Sequence, residues 1–374
     1  MRYAMIMAGG TGTRLWPVSR TNRPKQLLNF IRRPGDPRPR SLLELAADRL
    51  EGLIEPGRRY ICTGEQYRQV IRRTLPRFDD EHILGEPIGR DTVNAIGLTA
   101  SVLARSDPDA VFAVLTADHV IEPGDVFRDR LSLGLDLVQA DPMRLVTFSI
   151  TPTHPATGYG YVERGDPIAE SSRVPGTEPS AFHVARFVEK PDIERARQYL
   201  ASGRFGWNSG MFVFHARTLL DCLERFVPES FEGLGRIGAA WETPDRRRVL
   251  EEVYPTLPKI SVDYAVMEPA SNDDRVGIVM VEMPVRWLDV GSWPSYAQTI
   301  EPGEGGNRTA GPGRTLIHEG TDNLVYVDQP DHTVTLLGVQ GLVVVHTADA
   351  TLVMPADRAQ NLKELHARLD APLT

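Results

Sequence analysis

Short hydrophobic runs alternate with longer amphipathic stretches in the first part of the chain. The runs are almost continuously apolar, as is typical of strands buried on both faces of a mostly parallel sheet. Between them, apolar positions repeat with the helical period, and segment 91–104 places Ile96 and Leu103 on one face. The alternation predicts a doubly wound α/β domain. The predicted strands are 3–7, 59–62, 82–84, 111–115 and 145–148.

Two helix starts in this part carry the pattern of a capping box. Ser41 is followed three residues later by Glu44, and Thr63 is followed three residues later by Gln66. In such a pair each side chain bonds the backbone N–H of the other residue. We therefore expect a helix to begin at each of these positions.

A different pattern begins after segment 301–314 (EPGEGGNRTAGPGR), which is dense in Gly and Pro and almost free of apolar residues. Such a composition indicates a linker or a long surface loop. Short β-rich runs follow at regular spacing, and a helical pattern covers 357–368. We predict a catalytic domain at 1–300, a linker at 301–314 and a β-rich domain at 315–374. The β-rich runs are 323–327, 333–337, 342–346 and 351–354.

Composition excludes several classes of protein. The 374 residues carry a net charge of −8, which gives nucleic-acid binding no electrostatic basis. No apolar stretch is long enough to span a membrane, and the first apolar run is too short for a secretory signal. Cys62 and Cys222 are too few for a disulfide framework and suit core positions. These features favour a cytoplasmic protein.

The segment after the first predicted strand, AGGTGTRLWPVSRTNRPKQLL, carries the strongest chemical pattern. Gly9, Gly10 and Gly12 let backbone N–H groups approach phosphate oxygens closely. Arg14 and Lys25 add two cations, which suits a polyphosphate whose charge rises on a leaving pyrophosphate. The glycine spacing matches neither the dinucleotide fingerprint, which disfavours a Rossmann dehydrogenase, nor a P-loop.

Two aspartates follow apolar strands and suit a metal ion. Asp118 ends one strand and Asp289 another, so both side chains are expected at the carboxyl edge of the sheet. Carboxylates at one edge suit Mg²⁺, which also accepts substrate phosphates and water. Asp289 could instead cap the helix expected at Ser292. His119 is a further ligand or, more in keeping with its position, a supporting residue.

The chain resembles the sugar-phosphate nucleotidyltransferases, and Trp16-Pro17 with Ser19-Arg20 is the form typical of the mannose-1-phosphate guanylyltransferases. The resemblance implies a Rossmann-like (GT-A-like) domain with a mixed, mostly parallel sheet, and a small β-helix-like domain at the C-terminus. It also implies GTP, mannose 1-phosphate and Mg²⁺ as substrates and cofactor. The motifs are GGTGTRLWPVSR, RPKQLL, GEPIGRDTVNAIG, LTADH, FVEKP, WNSGMFVF, SVDYAVMEP, WLDVGSW and the β-rich tail ending DATLVMPADRAQNLKEL.

The resemblance also assigns residues to the sugar phosphate. It implies that Glu189 accepts sugar hydroxyls and that Lys190 meets the sugar phosphate, while Asn208 and Gly158 contact the sugar. Asp263 either orients the substrate or caps its own helix, and capping is the favoured interpretation. The residues expected at the nucleotide are Ala8, Gly9, Gly10, Gly12, Thr13, Glu86, Arg90 and Thr92.

At the nucleotide the sequence departs from its relatives, since the usual Asn-Thr-Ala-Pro-Ala is Asp-Thr-Val-Asn-Ala at 91–95. This departure weakens the expectation of strict guanine preference. The chain could therefore use another nucleoside triphosphate or sugar 1-phosphate. It could also be a catalytically silent regulatory subunit, against which the intact Arg14, Lys25, Asp118 and Asp289 argue. A homodimer is possible.

Lysine is rare in this chain, with four lysines against 38 arginines. Genome bias explains most of the imbalance. Lys25 and Lys190 nevertheless fall within the two motifs expected to bind phosphate. A compact ammonium and a planar guanidinium are not interchangeable at a tight phosphate site. The placement therefore favours a specific role for these two lysines, whereas Lys259 and Lys363 have no such context.

Overall fold

The computed structural model describes residues 1–10, 12–33, 35–172, 178–370 and 373. Two compact units are built from interleaved parts of the chain. Unit 1 consists of Met1–Gly9, Ala47–Thr116 and Ile121–Arg286. Unit 2 consists of Gly10–Ala46, Ala117–Val120 and Trp287–Thr374. Among the helices of the described residues, none is long and apolar enough to cross a membrane.

Unit 1 is built on a nine-stranded mixed sheet with the order β3-β2-β1-β4-β9-β6-β10-β8-β7. Strand β1 runs parallel to β2 and β4, whereas β9 runs antiparallel to β4 and β6. All five predicted strands are present, with ends that differ by one or two residues. The strands to residue 289 are β1 (Arg2–Met7), β2 (Arg59–Gly64), β3 (Ile83–Glu86), β4 (Val111–Thr116), β5 (His119–Glu122), β6 (Arg144–Ile150), β7 (Tyr161–Pro167), β8 (Ala181–Val188), β9 (Phe205–His215), β10 (Gly277–Glu282) and β11 (Arg286–Asp289).

Helices complete the core of unit 1, apart from the first helix of the chain, which lies mostly in unit 2. The predicted helix at 91–104 is confirmed, and its Ile96 and Leu103 are buried in one cluster with Leu219 and Leu234 of two later helices. Cys62 and Cys222 lie in the same core, as expected. The helices to residue 270 are α1 (Leu42–Asp48), α2 (Arg68–Thr74), α3 (Asp91–Ser106), α4 (Gly124–Ala140), α5 (Ile193–Ser202), α6 (Ala216–Phe226), α7 (Pro228–Ala240), α8 (Arg246–Val253) and α9 (Glu268–Ala270).

One predicted capping box is confirmed and the other is wrong. The Glu44 backbone N–H donates to Ser41 Oγ at 3.1 Å, and the Ser41 N–H donates to Glu44 Oε2 at 2.8 Å, at the start of α1. Thr63 instead lies inside β2, where its Oγ1 donates to the carbonyl of Ala8 at 2.9 Å. The strand therefore uses the hydroxyl that the local pattern assigned to a helix cap.

The β-rich part of unit 2 forms two small sheets, β12-β14-β16-β17 and β13-β15, between which the chain alternates. Because β12, β14 and β16 pair in parallel and β13 pairs in parallel with β15, the arrangement is β-helix-like. The four β-rich runs predicted from the sequence are strands here, and β12 lies inside segment 301–314. The strands are β12 (Arg308–Ala310), β13 (Arg314–His318), β14 (Leu324–Val327), β15 (Thr333–Leu337), β16 (Leu342–His346) and β17 (Thr351–Pro355).

Unit 2 joins this β-rich part to the glycine-containing segment through one hydrophobic core. Leu15 and Trp16 are buried in the same cluster as Leu352 and Leu362. The helical elements are α10 (Trp293–Ala297), the 3₁₀ turn Ala356–Asn361 and α11 (Leu362–His366), the last two within the predicted helical pattern. The domain limits expected at 300 and 315 stay a prediction.

Candidate active site

The glycine segment has the backbone geometry that a phosphate-binding turn requires. Gly10 has φ 90° and Gly12 has φ 68°, conformations that residues with a Cβ adopt at a cost. A Cβ at Gly12 would also lie 2.6 Å from the Cβ of Lys25, so a side chain does not fit there. Ala8, which follows β1, donates its backbone N–H to the carbonyl of Cys62 at 2.8 Å. Gly10 and Gly12 are thus required by the turn and by the approach of Lys25.

The two cations of this segment have different partners within unit 2. Lys25 is nearly buried and its Nζ lies 2.7 Å from Asp118 Oδ2 and 3.5 Å from the carbonyl of Val290. Arg14 lies on the short 3₁₀ turn Thr13–Leu15 and donates from Nη1 to Gln360 Oε1 at 3.0 Å. The structure therefore places Lys25 with the predicted metal ligand, and Arg14 against the segment that follows β17.

Asp118 and Asp289 are brought together, as the sequence predicted. A carboxylate oxygen of each and a ring nitrogen of His119 lie within 4.8 Å of one another. The Val290 N–H donates to the Asp118 carbonyl at 3.1 Å, which fixes the two backbone segments side by side. Hard carboxylate oxygens at this spacing fit Mg²⁺ or a similar divalent cation. Burial alone would raise the pKa of Asp118, but the Lys25 ammonium holds it below its usual range, so the carboxylate is ionised at neutral pH.

The alternative interpretation of Asp289 as a helix cap does not hold. Ser292 caps α10, and it forms a capping box with Ser295 in which each side chain serves the backbone of the other residue. The Asp289 carboxylate is therefore not needed for the helix and is available to the cluster with Asp118.

A second polar cluster lies in unit 1 and contains the residues expected at the sugar phosphate. The Asn208 side chain accepts from Thr147 Oγ1 at 2.8 Å and donates from Nδ2 to Asp263 Oδ1 at 2.8 Å. Lys190, which is 57% exposed, lies with its Nζ 2.7 Å from Oε1 of the buried Glu189 carboxylate. Burial and the Glu189 charge raise the pKa of Asp263 to about 6. The cluster is therefore a hydrogen-bonded network with a proton that titrates near neutral pH.

Two members of this network, Thr147 and Gly160, were not expected from the sequence, and a third, Asp263, was expected to cap its helix. Asp263 does not cap its helix, because Val262 occupies the position before the π-helical turn Asp263–Met267 and the carboxylate accepts from Asn208 instead. Thr147 is a fully buried hydroxyl in the apolar strand β6, a signal that could have been noticed. At Gly160 a Cβ would lie 2.5 Å from Glu189 Oε2.

Gly158, which was predicted to contact the sugar, is exposed in a bend. Among the described residues, no heavy atom outside 157–159 lies within 4 Å of a Cβ built on it. Gly160 is the nearby glycine whose lack of a side chain is needed by the network, and its carbonyl accepts from the Asn208 N–H at 2.8 Å. The contact of Gly158 with the sugar stays a prediction, and the structure adds Gly160 as the glycine of this motif that lies against Glu189.

The predicted nucleotide residues of segment 85–97 form a separate group in unit 1, in which Glu86 is buried and Arg90 and Thr92 are half-buried. Tyr254 Oη donates to Glu86 Oε1 at 2.6 Å, and burial raises the pKa of Glu86. Thr92 Oγ1 accepts from the Val262 N–H at 2.8 Å. The carbonyl of Arg90 accepts from Asn94 Nδ2 at 3.0 Å. This network ties the start of α3 to the segment that carries Asp263.

The unusual Asn94 of this segment has a structural role. It is fully buried, donates to the carbonyls of Arg90 and Pro258, and accepts from Ser230 Oγ at 2.9 Å. All of its partners lie on unit 1 elements that frame the start of α3. The departure from the family pattern at this position is therefore explained by buried hydrogen bonding.

Comparisons with known proteins agree with this organisation. A family model described as nucleotidyl transferase matches residues 3–302, and one described as mannoseP isomerase/GMP-like beta-helix domain matches residues 313–369. A mannose-1-phosphate guanylyltransferase from Klebsiella pneumoniae is 38% identical over 97% of this chain and 73% of its own length. One from Escherichia coli K12 is 38% identical over 99% of this chain and 73% of its own length.

A solved structure gives the same result for the fold. The protein described as mannose-1-phosphate geranyltransferase from Thermus thermophilus superposes with a TM-score of 0.82 at 32% identity, and 98% of each chain is covered. The resemblance inferred from the motifs and the two-part fold it implied are therefore confirmed. The chain belongs to the nucleotidyl transferase family and, within it, to the mannose-1-phosphate guanylyltransferases.

Proposed function

We propose that this chain transfers the guanylyl group of GTP to α-D-mannose 1-phosphate, releasing pyrophosphate and GDP-mannose. The observation that carries the proposal is the Lys25–Asp118 ion pair of 2.7 Å beside Asp289. It places one cation and two carboxylates next to a turn rich in positive-φ glycines. A nucleoside triphosphate that arrives with a divalent cation requires this combination of donors and ligands.

The reaction needs positioning more than proton transfer. An oxygen of the sugar phosphate attacks the α-phosphorus of GTP, and the bond from that phosphorus to the oxygen shared with the β-phosphate breaks. The electron pair leaves with pyrophosphate. The nucleophile is already an anion, so no general base is required. The protein must hold two mutually repelling anions in line and stabilise the charge that develops on the leaving group.

In this proposal unit 2 holds the triphosphate. The N–H groups of the glycine segment approach the phosphate oxygens, and Arg14 and Lys25 neutralise their charge. The Lys25 ammonium has three N–H donors, so it can keep Asp118 while it reaches a phosphate oxygen. Nucleotidyl transferases generally use a divalent metal. Mg²⁺ held by Asp118 and Asp289 would supply further charge neutralisation.

The polar cluster around Asn208 recognises the sugar phosphate, and the residues before and at the start of α3 are assigned to the base. Lys190 is the exposed cation of its cluster and suits the sugar phosphate, whereas the carboxylate of Glu189 accepts sugar hydroxyls. Asn208, held by Thr147 and Asp263, presents its amide in one fixed orientation. Gly158 adds a backbone amide. The residues assigned to the nucleotide besides Arg14 and Lys25 are Ala8, Gly9, Gly10, Gly12, Thr13, Glu86, Arg90 and Thr92.

Pyrophosphate release tests the proposal with the purified full chain. GTP, ATP, UTP and dTTP are each paired with mannose 1-phosphate and glucose 1-phosphate, with and without Mg²⁺. We expect the fastest turnover with GTP, mannose 1-phosphate and Mg²⁺ together. A faster reaction with another pair would change the substrate assignment, and no turnover with any pair would leave a regulatory sugar-nucleotide-binding subunit.

A single substitution tests the metal assignment. We expect Asp289→Asn to lower kcat/KM at least about 100-fold, because it removes a charged metal ligand in a cluster that has two. Asp331→Asn, at an exposed turn of unit 2, is the matched control and should leave turnover unchanged. Wild-type turnover in Asp289→Asn would remove Asp289 from the metal site. We also propose that the protein is cytoplasmic and that it forms a homodimer.

A further inference from the structure

His119 lies in the metal cluster, but its ring contacts limit what it can do there. The side chain is buried, and its Nδ1 accepts a hydrogen bond from Trp287 Nε1 at 3.1 Å. The two rings meet edge to face, with centroids 4.8 Å apart and an interplanar angle of 71°. The other ring nitrogen, Nε2, lies 3.6 Å from Asp118 Oδ1. The imidazole therefore stands between an indole N–H and a carboxylate.

The chemistry of the indole decides which nitrogen carries the proton. A tryptophan Nε1–H is a donor only, so the nitrogen it faces must offer a lone pair. Nδ1 therefore accepts this bond through its lone pair, which leaves Nε2 as the nitrogen that carries a proton. A nitrogen that carries a proton has no lone pair for a metal. A metal-ligating histidine normally shows the reverse arrangement, in which the distal N–H donates to an acceptor.

We infer that His119 is not a metal ligand but a positioning residue for Asp118, and that Trp287 fixes its tautomer; this rests on the proposed function only in that Asp118 is taken as a metal ligand. The Nε2–H of His119 faces Oδ1 of Asp118, and the Lys25 ammonium faces Oδ2. The ammonium is bonded to one oxygen of the carboxylate, and the imidazole lies beside the other oxygen at 3.6 Å, beyond hydrogen-bond distance. Together the two neighbours favour one rotation of that carboxylate.

The strand β11 carries both the indole that contacts His119 and the second carboxylate of the metal cluster. Trp287 and Asp289 are two residues apart on β11, and alternate residues of a strand point to the same face. The strand therefore presents Asp289 and the indole that orients His119 on one side. A shift of β11 would disturb both carboxylates together.

Nitrogen-15 NMR of the full chain labelled at histidine tests the tautomer directly, without substrates. The His119 signals are assigned by their loss in His119→Gln. We expect an unprotonated Nδ1 and a protonated Nε2, and the same tautomer after Mg²⁺ is added. A proton on Nδ1, or its transfer to Nδ1 on Mg²⁺ addition, would show a ligand and overturn the inference. Because this readout needs no turnover, it stands apart from any failure of the proposed reaction.

Trp287→Phe tests the role of the indole, because it keeps an aromatic ring and removes only the N–H donor. We expect both His119 tautomers in its spectrum and a roughly 10-fold weaker binding of Mn²⁺ measured by electron paramagnetic resonance. The kcat at saturating Mg²⁺ should change less than about 2-fold, since the ligands remain.

Trp241→Phe is the matched control, because it makes the same change in unit 1. Both its histidine spectrum and its Mn²⁺ binding should be those of the wild type. His119→Gln keeps an N–H donor and should bind Mn²⁺ more tightly than His119→Phe. Wild-type Mn²⁺ affinity in Trp287→Phe would refute the positioning role even if the tautomer is as inferred.

Discussion

The two polar clusters treat a half-buried carboxyl group in opposite ways. Burial by itself would raise the pKa of both carboxyl groups, that of Asp118 in unit 2 and that of Asp263 in unit 1. At Asp118 the neighbouring charge is the Lys25 ammonium, and the pKa falls below its usual range. At Asp263 the larger neighbouring charge is the carboxylate of Glu189, and the pKa rises to about 6. The sign of the nearest charge therefore decides the outcome.

The difference corresponds to two kinds of ligand. An ionised carboxylate paired with an ammonium suits a charged ligand, since a metal ion and phosphates can replace part of the pair with charges of their own. A network of an amide, a hydroxyl and a carboxyl that shares a proton near neutral pH suits neutral hydroxyl groups, which both donate and accept. The Asp118 pair thus suits recognition of charge, whereas the network around Asp263 suits recognition of hydroxyl groups.

Removing the ammonium from unit 2 should have the largest effect and should make Asp118 behave like Asp263. We expect Lys25→Gln to lower kcat by about 100- to 1000-fold, the usual range for one group that stabilises a transition-state charge. The pKa of Asp118 should rise, because burial remains without its opposing charge. Single-turnover pyrophosphate release measures the first effect.

Lys25→Arg is the informative control for this prediction. The Lys25 stem packs against the space where a Cβ of Gly12 would lie, so the bulkier guanidinium has to take a different path. We expect less than a tenth of the wild-type kcat with unchanged thermal unfolding. Full activity in Lys25→Arg would show that position 25 requires only a positive charge. The scarcity of lysine elsewhere in the chain would then say nothing about the role of Lys25.

A methyl group at Gly160 should disturb the hydroxyl network of unit 1 without changing any charge. Its Cβ would lie 2.5 Å from Glu189 Oε2, so that carboxylate must move. We expect Gly160→Ala to raise the KM for mannose 1-phosphate by about 10-fold, the cost of one displaced hydrogen-bonding group, with little change in the KM for GTP.

Gly235→Ala, at an exposed position of α7, is the matched control, because the same methyl group meets open space there among the described residues. Its steady-state parameters should match the wild type. An equal rise in KM in Gly158→Ala and Gly160→Ala would support the assignment of Gly158 to the sugar. A rise in Gly158→Ala alone would separate the sugar site from the Asn208 network.

The strands and the charged motifs were predictable because their signals are local. Val111–Thr116 is apolar at nearly every position, and a strand buried on both faces needs nothing else. Lys25 and Asp118 were each identified from their motifs, but their 2.7 Å contact joins positions 93 residues apart. Which charges become neighbours depends on the folded chain, and the pKa differences follow from that.

The errors arose where a local pattern competed with a tertiary partner. Thr63 and Asp263 both carry side chains that commonly cap helices. Thr63 instead donates a hydrogen bond to the carbonyl of Ala8, and Asp263 accepts one from the side chain of Asn208. Trp287 was not identified from the sequence, since a sequence does not show which ring nitrogen an indole will face. Tertiary hydrogen bonds override local preferences at these positions.

The proton on Asp263 gives the smallest effect and the sharpest test of the comparison. Its pKa of about 6 in the folded protein lies above the ordinary 3.8, so the folded state binds the proton more tightly. The associated stability is complete below pH 4 and is lost as the pH rises through 6. Asp263→Asn cannot ionise. The stability of Asp263→Asn relative to wild type, measured by thermal unfolding, should therefore increase between pH 4 and pH 7.5. The expected increase in the free energy of unfolding is on the order of 1 kcal/mol, after allowance for the partial exposure of Asp263.

Glu189→Gln removes the second cause of the raised pKa and should move the midpoint of this pH-dependent change to lower pH. A difference between Asp263→Asn and wild type that is constant with pH would mean that Asp263 is ionised throughout, and the contrast between the two clusters would then be wrong.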